Sequence, residues 1–488
     1  MFWLAIISIV LSIISTLFLL ASPYLRITSL GWFIGIWWIP ILGALFFLLT
    51  VIRNQARGED RHFDKLKAAH EHKPECQNHL MNCIARDHGF LPYFYLHDYE
   101  LYRDDAFIPE LINCIDNATT RVWITTYIFS GQVSEELLRS LTKAHERGVQ
   151  VCLLIDRVGS GILTPSKAIQ QKLAVYPFNF SIFRQSLLKS ILFVEKRLHS
   201  KIVIIDEDMA FIGAHNLRDE VLSPNKNFAR NTTLKFHGPV VQQLEAVFAD
   251  LWLKNTEQEL PVTQVSDGDI FPLVSSQPSP PQPSPLPSQT SSHLDLDDHS
   301  HEDQPQKTAS GIPARIIFSD PVSRTHAYDQ YLTTLLMAAK QRIYIWMPYM
   351  IPTQTMRDTL MAKCKLGLDI KVLVPGKSDS VLVDNTHQLV IRELNDCGVA
   401  CAQSKGAFDH SKVLIIDDVV ILGSTNLDYR SLYRNYEANI EVNDQEFCER
   451  IVREFDVEFA NSVSVEKMKT GLMKTMLNQF TSLIAALY

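Results

Sequence analysis

An excess of positive charge is missing from this 488-residue sequence: 46 Lys and Arg stand against 54 Asp and Glu, a formal net charge of −8. Duplex nucleic-acid binders usually carry a basic face, so the balance speaks against one. A cysteine framework is missing too. Cys76, Cys83, Cys114, Cys152, Cys364, Cys397, Cys401 and Cys448 are scattered, several inside apolar runs, which fits reduced, buried thiols better than disulfides. No strong metal motif is present. The spacing of His72, Cys76, His79 and Cys83 matches none of the usual zinc patterns, and His293, His299 and His301 lie in a polar stretch, so neither metal nor cofactor is expected. Finally, Met1-Phe2-Trp3-Leu4 lacks the basic start of a signal peptide, which argues against cleavage.

Long apolar runs, by contrast, open the chain. Phe2 to Ala21 and Leu30 to Ile52 are each long enough to cross a bilayer, and Ser22 to Ser29 joins them, so residues 1–53 are expected to form a transmembrane hairpin. Arg53, Arg57, Arg61, Lys65 and Lys67 crowd the exit of the second span against Arg26 in the loop, which places the large remainder on the cytoplasmic side. A connector, 54–100, follows.

Beyond it the chain repeats itself. Arg121 to Phe129 reads as a strand, a helix N-capped at Ser134 runs to Arg147-Gly148, and Val149 to Asp156 is the next strand. The same order recurs in Arg342 to Tyr349, Thr353 to Lys365 capped by Gly367, and Ile370 to Pro375. Each half then carries H-x-K-x-x-x-x-D: His199, Lys201 and Asp206 in one, His410, Lys412 and Asp417 in the other. On a strand, His and Lys two positions apart share a face. Each motif leads into a small-residue turn, Gly213-Ala214-His215-Asn216 or Gly423-Ser424-Thr425-Asn426, where backbone approaches a ligand closely and Asn216, Ser424 and Asn426 offer polar contacts. Two α/β domains follow, 101–260 and 313–464, each a mixed sheet flanked by helices. Residues 261–312, rich in Pro, Ser and Gln, read as a disordered linker, and 465–488 as an amphipathic helix.

Phosphodiester transfer needs a nucleophile, an acid for the departing alkoxide and cations for the phosphoryl oxygens. Two H-x-K pairs meeting across one cleft supply all three without metal. Asp206 and Asp417, which end the motifs, suit bracing of turns.

These residues resemble the phospholipase D superfamily with its two H-K-D motifs, and more closely the bacterial cardiolipin synthases. The likeness extends to Pro348-Tyr349, Pro375-Gly376-Lys377-Ser378-Asp379-Ser380 and Gly423 to Ser431. It implies two tandem phospholipase D-like domains about a pseudo-twofold, in a multi-pass protein of the bacterial inner membrane with its catalytic domains on the cytoplasmic side. The implied reaction converts two phosphatidylglycerol molecules to cardiolipin and glycerol through a phosphatidyl-histidine. His199 is then the nucleophile and His410 the acid, and Glu437 takes the place of the carboxylate that orients the imidazole of the second half. In the first half Asn231 stands where an acidic residue is usual, with Asp219 and Glu220 as possible substitutes, and Ala214 stands where a serine is usual. The span from Asp417 to Gly423 is one residue shorter than from Asp206 to Gly213. A hydrolase or nuclease using the same site, and a silent scaffold that binds anionic headgroups at the membrane, are the competing readings. Leu187 to Arg197 offers a basic-apolar patch for an anionic leaflet.

Overall fold

The computed structural model describes residues 80–160, 171–183, 196–221, 229–264, 311–322, 326–378 and 381–465, besides a few isolated positions. The expected hairpin, most of the connector and linker, nearly all of the basic-apolar patch and the C-terminal amphipathic helix lie outside them. Among the described residues no helix is long and apolar enough to cross a membrane.

The two halves form two mixed sheets of matching design. In the first, a seven-stranded sheet runs Asp98–Arg103, Thr232–His237, Met209–Gly213, Ile202–Ile205, Arg121–Thr126, Gln150–Asp156, Asn179–Phe183. In the ten-stranded second sheet the same order reads Ile312–Ser319, Asn435–Asn443, Val419–Gly423, Val413–Ile416, Arg342–Trp346, Asp369–Pro375, Ala400–Ser404, with Phe94–Leu96 and Val463–Ser464 at its edges and Arg197–Leu198 joined to Asn435–Asn443. The β-branched and aromatic central strands are buried throughout, as a sheet covered on both faces requires.

Helices Phe107–Asn117 and Gly131–Glu146 cover the outer face of the first sheet. Ala327–Ala338, Gln354–Lys365 and Val381–Asp396 cover that of the second. Between the sheets lies a shared core, to which Val241–Thr256 and Gln445–Ala460 contribute Phe248, Trp252 and Phe455 against Trp123, Tyr344 and Trp346. The halves are therefore one packed body. They also exchange short strands: Arg197–Leu198 pairs in parallel with Asn435–Tyr436, and Phe408–Asp409 with Ala229–Arg230.

Two local expectations are corrected. The helix placed after Ser134 begins at Gly131, and the Ser134 hydroxyl bonds back to the Gly131 carbonyl at 2.7 Å. Its cap is tertiary: Asp219 accepts from the Val133 N–H at 3.0 Å. That contact also explains Gly131, where φ is +75° and a Cβ would run into the Asp219 carboxylate. Secondly, the regular ladder begins at Ile202 and Val413, so each H-x-K lies in the extended segment just before its strand.

Candidate active site

The strand exchange is what builds the site. The His199 N–H, after the Arg197–Leu198 pairing, bonds the Tyr436 carbonyl at 3.0 Å, and the His410 N–H bonds the Arg230 carbonyl at 2.7 Å. Each motif is thus hung on the opposite half, directly beside Glu437 or Asn231. Extended backbone then turns each Lys back toward its own His: Lys201 Nζ donates to the His199 carbonyl at 2.6 Å and Lys412 Nζ to the His410 carbonyl at 2.7 Å.

The side-chain partners cross over in the same way. His199 Nδ1 lies 2.9 and 3.0 Å from the two Glu437 oxygens, and His410 Nδ1 lies 3.0 Å from Asn231 Oδ1. Chain order suggests that each half orients its own imidazole. The fold instead pairs Glu437 with His199 and leaves the amide to His410, because the orienting strand of one half runs beside the motif of the other. Asp219 and Glu220 do not stand in for a carboxylate here: the first caps a helix and the second pairs with Arg218 at 2.8 Å.

Hydrogen bonding fixes the tautomers. A carboxylate accepts only, so His199 carries its proton on Nδ1 and leaves the Nε2 lone pair free for chemistry. Asn231 Nδ2 donates to the Ala229 carbonyl at 2.8 Å, which turns its oxygen to His410 and makes that imidazole an Nδ1–H donor as well. Glu437 is wholly buried and fully engaged: Ser424 Oγ donates to it at 2.5 Å and Asn435 Nδ2 at 3.1 Å. Burial alone raises its pKa, but the His199 contact, the Lys201 charge and the Ser424 bond hold it below the usual carboxylate range. Ser424, expected at the substrate, is spent on this carboxylate.

Burial dominates the titration of the site. It pulls His199 down to about 4, with Glu437 opposing and Lys201 adding to the fall. His410 falls well below the ordinary histidine value, through burial first and then Lys412, Lys201 and His199. Lys201 is drawn down to about 8, again by burial, against the pull of Glu437. Both imidazoles are therefore neutral near pH 7. The crossed partners of the histidines, with the Thr232 and Ser411 hydroxyls in contact at 2.9 Å, bring the two H-x-K pairs toward one centre.

Asn216 and Asn426 are buried at equivalent turns, each with an amide oxygen that has no hydrogen-bond partner. Buried orphans of this kind mark places where a polar ligand completes the bonding. Asp206 and Asp417 do not join the group. They stand at the far ends of the motif strands, at φ of 55° and 52°, and their carboxylates take up the backbone N–H groups of Thr119 to Arg121 and of Lys340 to Arg342. Such bracing of turns is the part that their place at the ends of the motifs suits. The shorter second span shows as a tighter hairpin, since Ile416 pairs with Val419 whereas Ile205 pairs with Met209.

Sequence reasoning passed over Tyr127 and Tyr349, whose rings meet His199 and His410 edge-on at 4.9 and 6.4 Å. It also passed over Asp156 and Asp409, which hold the approaches to the histidines through the Leu198 and Ser411 N–H groups at 2.9 and 3.0 Å. Asp409 directly precedes its histidine, the one local signal for that role.

Comparison with known proteins bears on the family of the chain. The family described as "Cardiolipin synthase, PLD-like domain" matches residues 111–252 and 332–459, more than half of the chain. A Clostridium perfringens cardiolipin synthase is 26% identical over 484 residues, covering 94% of this chain and 94% of that protein. Cardiolipin synthase 1 of Bacillus anthracis is 28% identical over 399 residues, covering 79% and 72%. In fold, the chain resembles the crystal structure of phosphatidylserine synthase from Haemophilus influenzae Rd KW20, with a TM-score of 0.58 at 12% identity over 84% of this chain and 98% of that one. With both H-x-K repeats lying inside the matched segments, the chain belongs to the cardiolipin synthase family of the phospholipase D superfamily.

Proposed function

We propose that the chain is a membrane-associated phosphatidyltransferase that makes cardiolipin from two phosphatidylglycerol molecules and releases glycerol. The observation that carries this reading is the pair of H-x-K motifs brought to one centre with unlike partners, Glu437 behind His199 and Asn231 behind His410. His199 Nε2 attacks phosphorus. The N–P bond forms, the P–O bond to the departing glycerol breaks with its electron pair on oxygen, and the His410 Nε2 proton passes to that oxygen. Attack leaves positive charge on the His199 imidazole, and the buried Glu437 carboxylate stabilises it through Nδ1. In the second step His410 takes the proton of the acceptor hydroxyl, the new P–O bond forms, and the electron pair of the N–P bond returns to His199.

Lys201 and Lys412 stabilise the equatorial phosphoryl oxygens, and the Asn216 and Asn426 amides complete their hydrogen bonding. The bound phosphate anion also raises the pKa of His410 enough to protonate it, against burial and the neighbouring cations. No step needs a metal. A membrane hairpin over 1–53, domains at 101–260 and 313–464 with the linker 261–312 between them, and a cytoplasmic-face orientation complete the proposal and follow from the sequence pattern.

The test is to reconstitute the full chain in vesicles of labelled phosphatidylglycerol and resolve the products. Cardiolipin with released glycerol is expected. Phosphatidate alone makes the chain a hydrolase with the same site, and no turnover of any phospholipid returns it to a headgroup-binding scaffold.

A further inference from the structure

Ala214 and Asn231 both depart from the second half, and in space the two departures are one. Gly213 pairs with Thr233 as Gly423 pairs with Asn439, so Asn231 and Glu437 occupy equivalent positions. The turn backbones match as well: the Ala214 N–H bonds the Thr232 carbonyl at 2.9 Å, and the Ser424 N–H bonds the Ala438 carbonyl at 3.0 Å. In the second half the Ser424 hydroxyl points at the Glu437 carboxylate. In the first, the methyl of Ala214 replaces the donor and an amide replaces the charge.

The surroundings of Asn231 suit an amide and oppose a carboxylate. Its Nδ2 lies 2.8 Å from the Ala229 carbonyl, where a carboxylate oxygen would meet another acceptor. Its backbone N–H is held by Asp104 Oδ1 at 3.1 Å, so a negative charge already stands beside it. Asp104 in turn returns its own N–H to the Asn231 carbonyl at 3.0 Å, and its backbone carbonyl accepts from His215 Nε2 at 2.8 Å. The amide is therefore clamped with its oxygen on His410.

We propose that Ala214 and Asn231 form a positioning pair that reserves His410 for carrying the proton and leaves the covalent step to His199. This rests on the phosphatidyl-transfer reading and assigns the roles within it. An imidazolium backed by a neutral oxygen gives up its Nε2 proton more readily than one backed by a carboxylate. The other groups facing His410 are Lys412 on its own segment, Lys201 and His199 across the centre, and His215 on the turn after Gly213; the rings of Tyr349 and Phe408 flank it. The carboxylates nearby are engaged elsewhere, Asp104 on the Asn231 N–H and Asp409 on the Ser411 N–H, and Asn231 Oδ1 is the atom that His410 Nδ1 meets, at 3.0 Å.

The experiment compares wild type, N231D, A214S and A214S/N231D as full-length protein in phosphatidylglycerol vesicles, reading kcat for cardiolipin formation against pH. In A214S/N231D the descending limb moves up by about one pH unit, as expected for a new carboxylate at hydrogen-bond distance, and plateau turnover falls roughly tenfold. N231D alone is more impaired than the double variant, because the carboxylate then lacks the hydroxyl that Ser424 supplies in the other half. Nitrogen-15 NMR of the His410 imidazole without lipid gives a second readout, with its titration moved upward in the double variant. If limb and imidazole titration both stay at the wild-type position in a folded A214S/N231D, the pair is merely structural and the proposal fails. Wild type that makes no cardiolipin overturns the transfer reading instead, while the NMR titration still decides whether Asn231 sets the state of His410.

Discussion

His199 and His410 occupy equivalent places in two half-sites that repeat their main hydrogen bonds. Each N–H is tied to the opposite half, each lysine folds back onto its own histidine's carbonyl, and each turn supplies a buried asparagine. Behind the imidazoles the likeness ends: one faces a wholly buried carboxylate with a serine and an asparagine on it, the other an amide backed by a methyl. Duplication places two identical reagents at one phosphorus, but displacement on phosphorus needs unlike ones, a base that bonds and an acid that lets go. The difference between the halves is thus where the chemistry is decided, and the likeness is what positions it.

The comparison breaks most sharply at the histidines themselves. H199A and H410A should each lower cardiolipin formation by about a thousandfold or more. With a phosphodiester substrate whose leaving group needs no proton, such as a nitrophenyl ester, H410A should regain about a hundredfold in the release of nitrophenol while H199A regains nothing. Equal rescue of both variants contradicts unlike roles.

The partners come next. E437Q removes the charge behind the covalent histidine and should cost about a hundredfold in kcat, whereas N231A removes only a neutral acceptor and should cost about tenfold. Steady-state kinetics on matched vesicles reads both, and a larger loss for N231A reverses the assignment.

A smaller effect is expected in the pH profiles. As the proposed acid, His410 must be protonated to act, so rate is lost as pH rises through its pKa, which burial and the neighbouring cations depress in the free protein. Bound phosphodiester raises it, and the descending limb of kcat should therefore lie at higher pH than that of kcat/KM. Coincident limbs mean that the lipid phosphate does not reach His410.

Least affected should be Asp206 and Asp417, where the halves remain alike. D206A and D417A each orphan backbone donors at a strand start and should lower stability by about 1–2 kcal/mol, read as a fall in Tm, with kcat of the folded protein unchanged.

Most of the frame was legible from residues alone, because the repeat writes strand, helix, strand and H-x-K twice in the same order. The helix expected from Thr353 to Lys365 shows how far local pattern reaches: it runs Gln354–Lys365, and Thr353 caps it by accepting from the Met356 N–H. Ser134 shows where it stops, since the cap it was expected to supply comes from Asp219 in a distant loop. The same limit hides the crossing of Glu437 and Asn231. Along the chain Asn231 follows His199 and Glu437 follows His410, and nothing local says that strands Arg197–Leu198 and Phe408–Asp409 each join the other half. Only the packed pair of sheets makes that exchange, and with it the assignment of partners.

The most direct test is to find the covalent lipid. The full-length protein, mixed briefly with phosphatidylglycerol in vesicles and quenched in alkaline denaturant that preserves the N–P bond, can be digested and mapped by mass. A phosphatidyl group on His199, absent from E437Q-matched controls incubated without lipid, is the predicted result; the same group on His410, or full turnover with no adduct on either histidine, contradicts it.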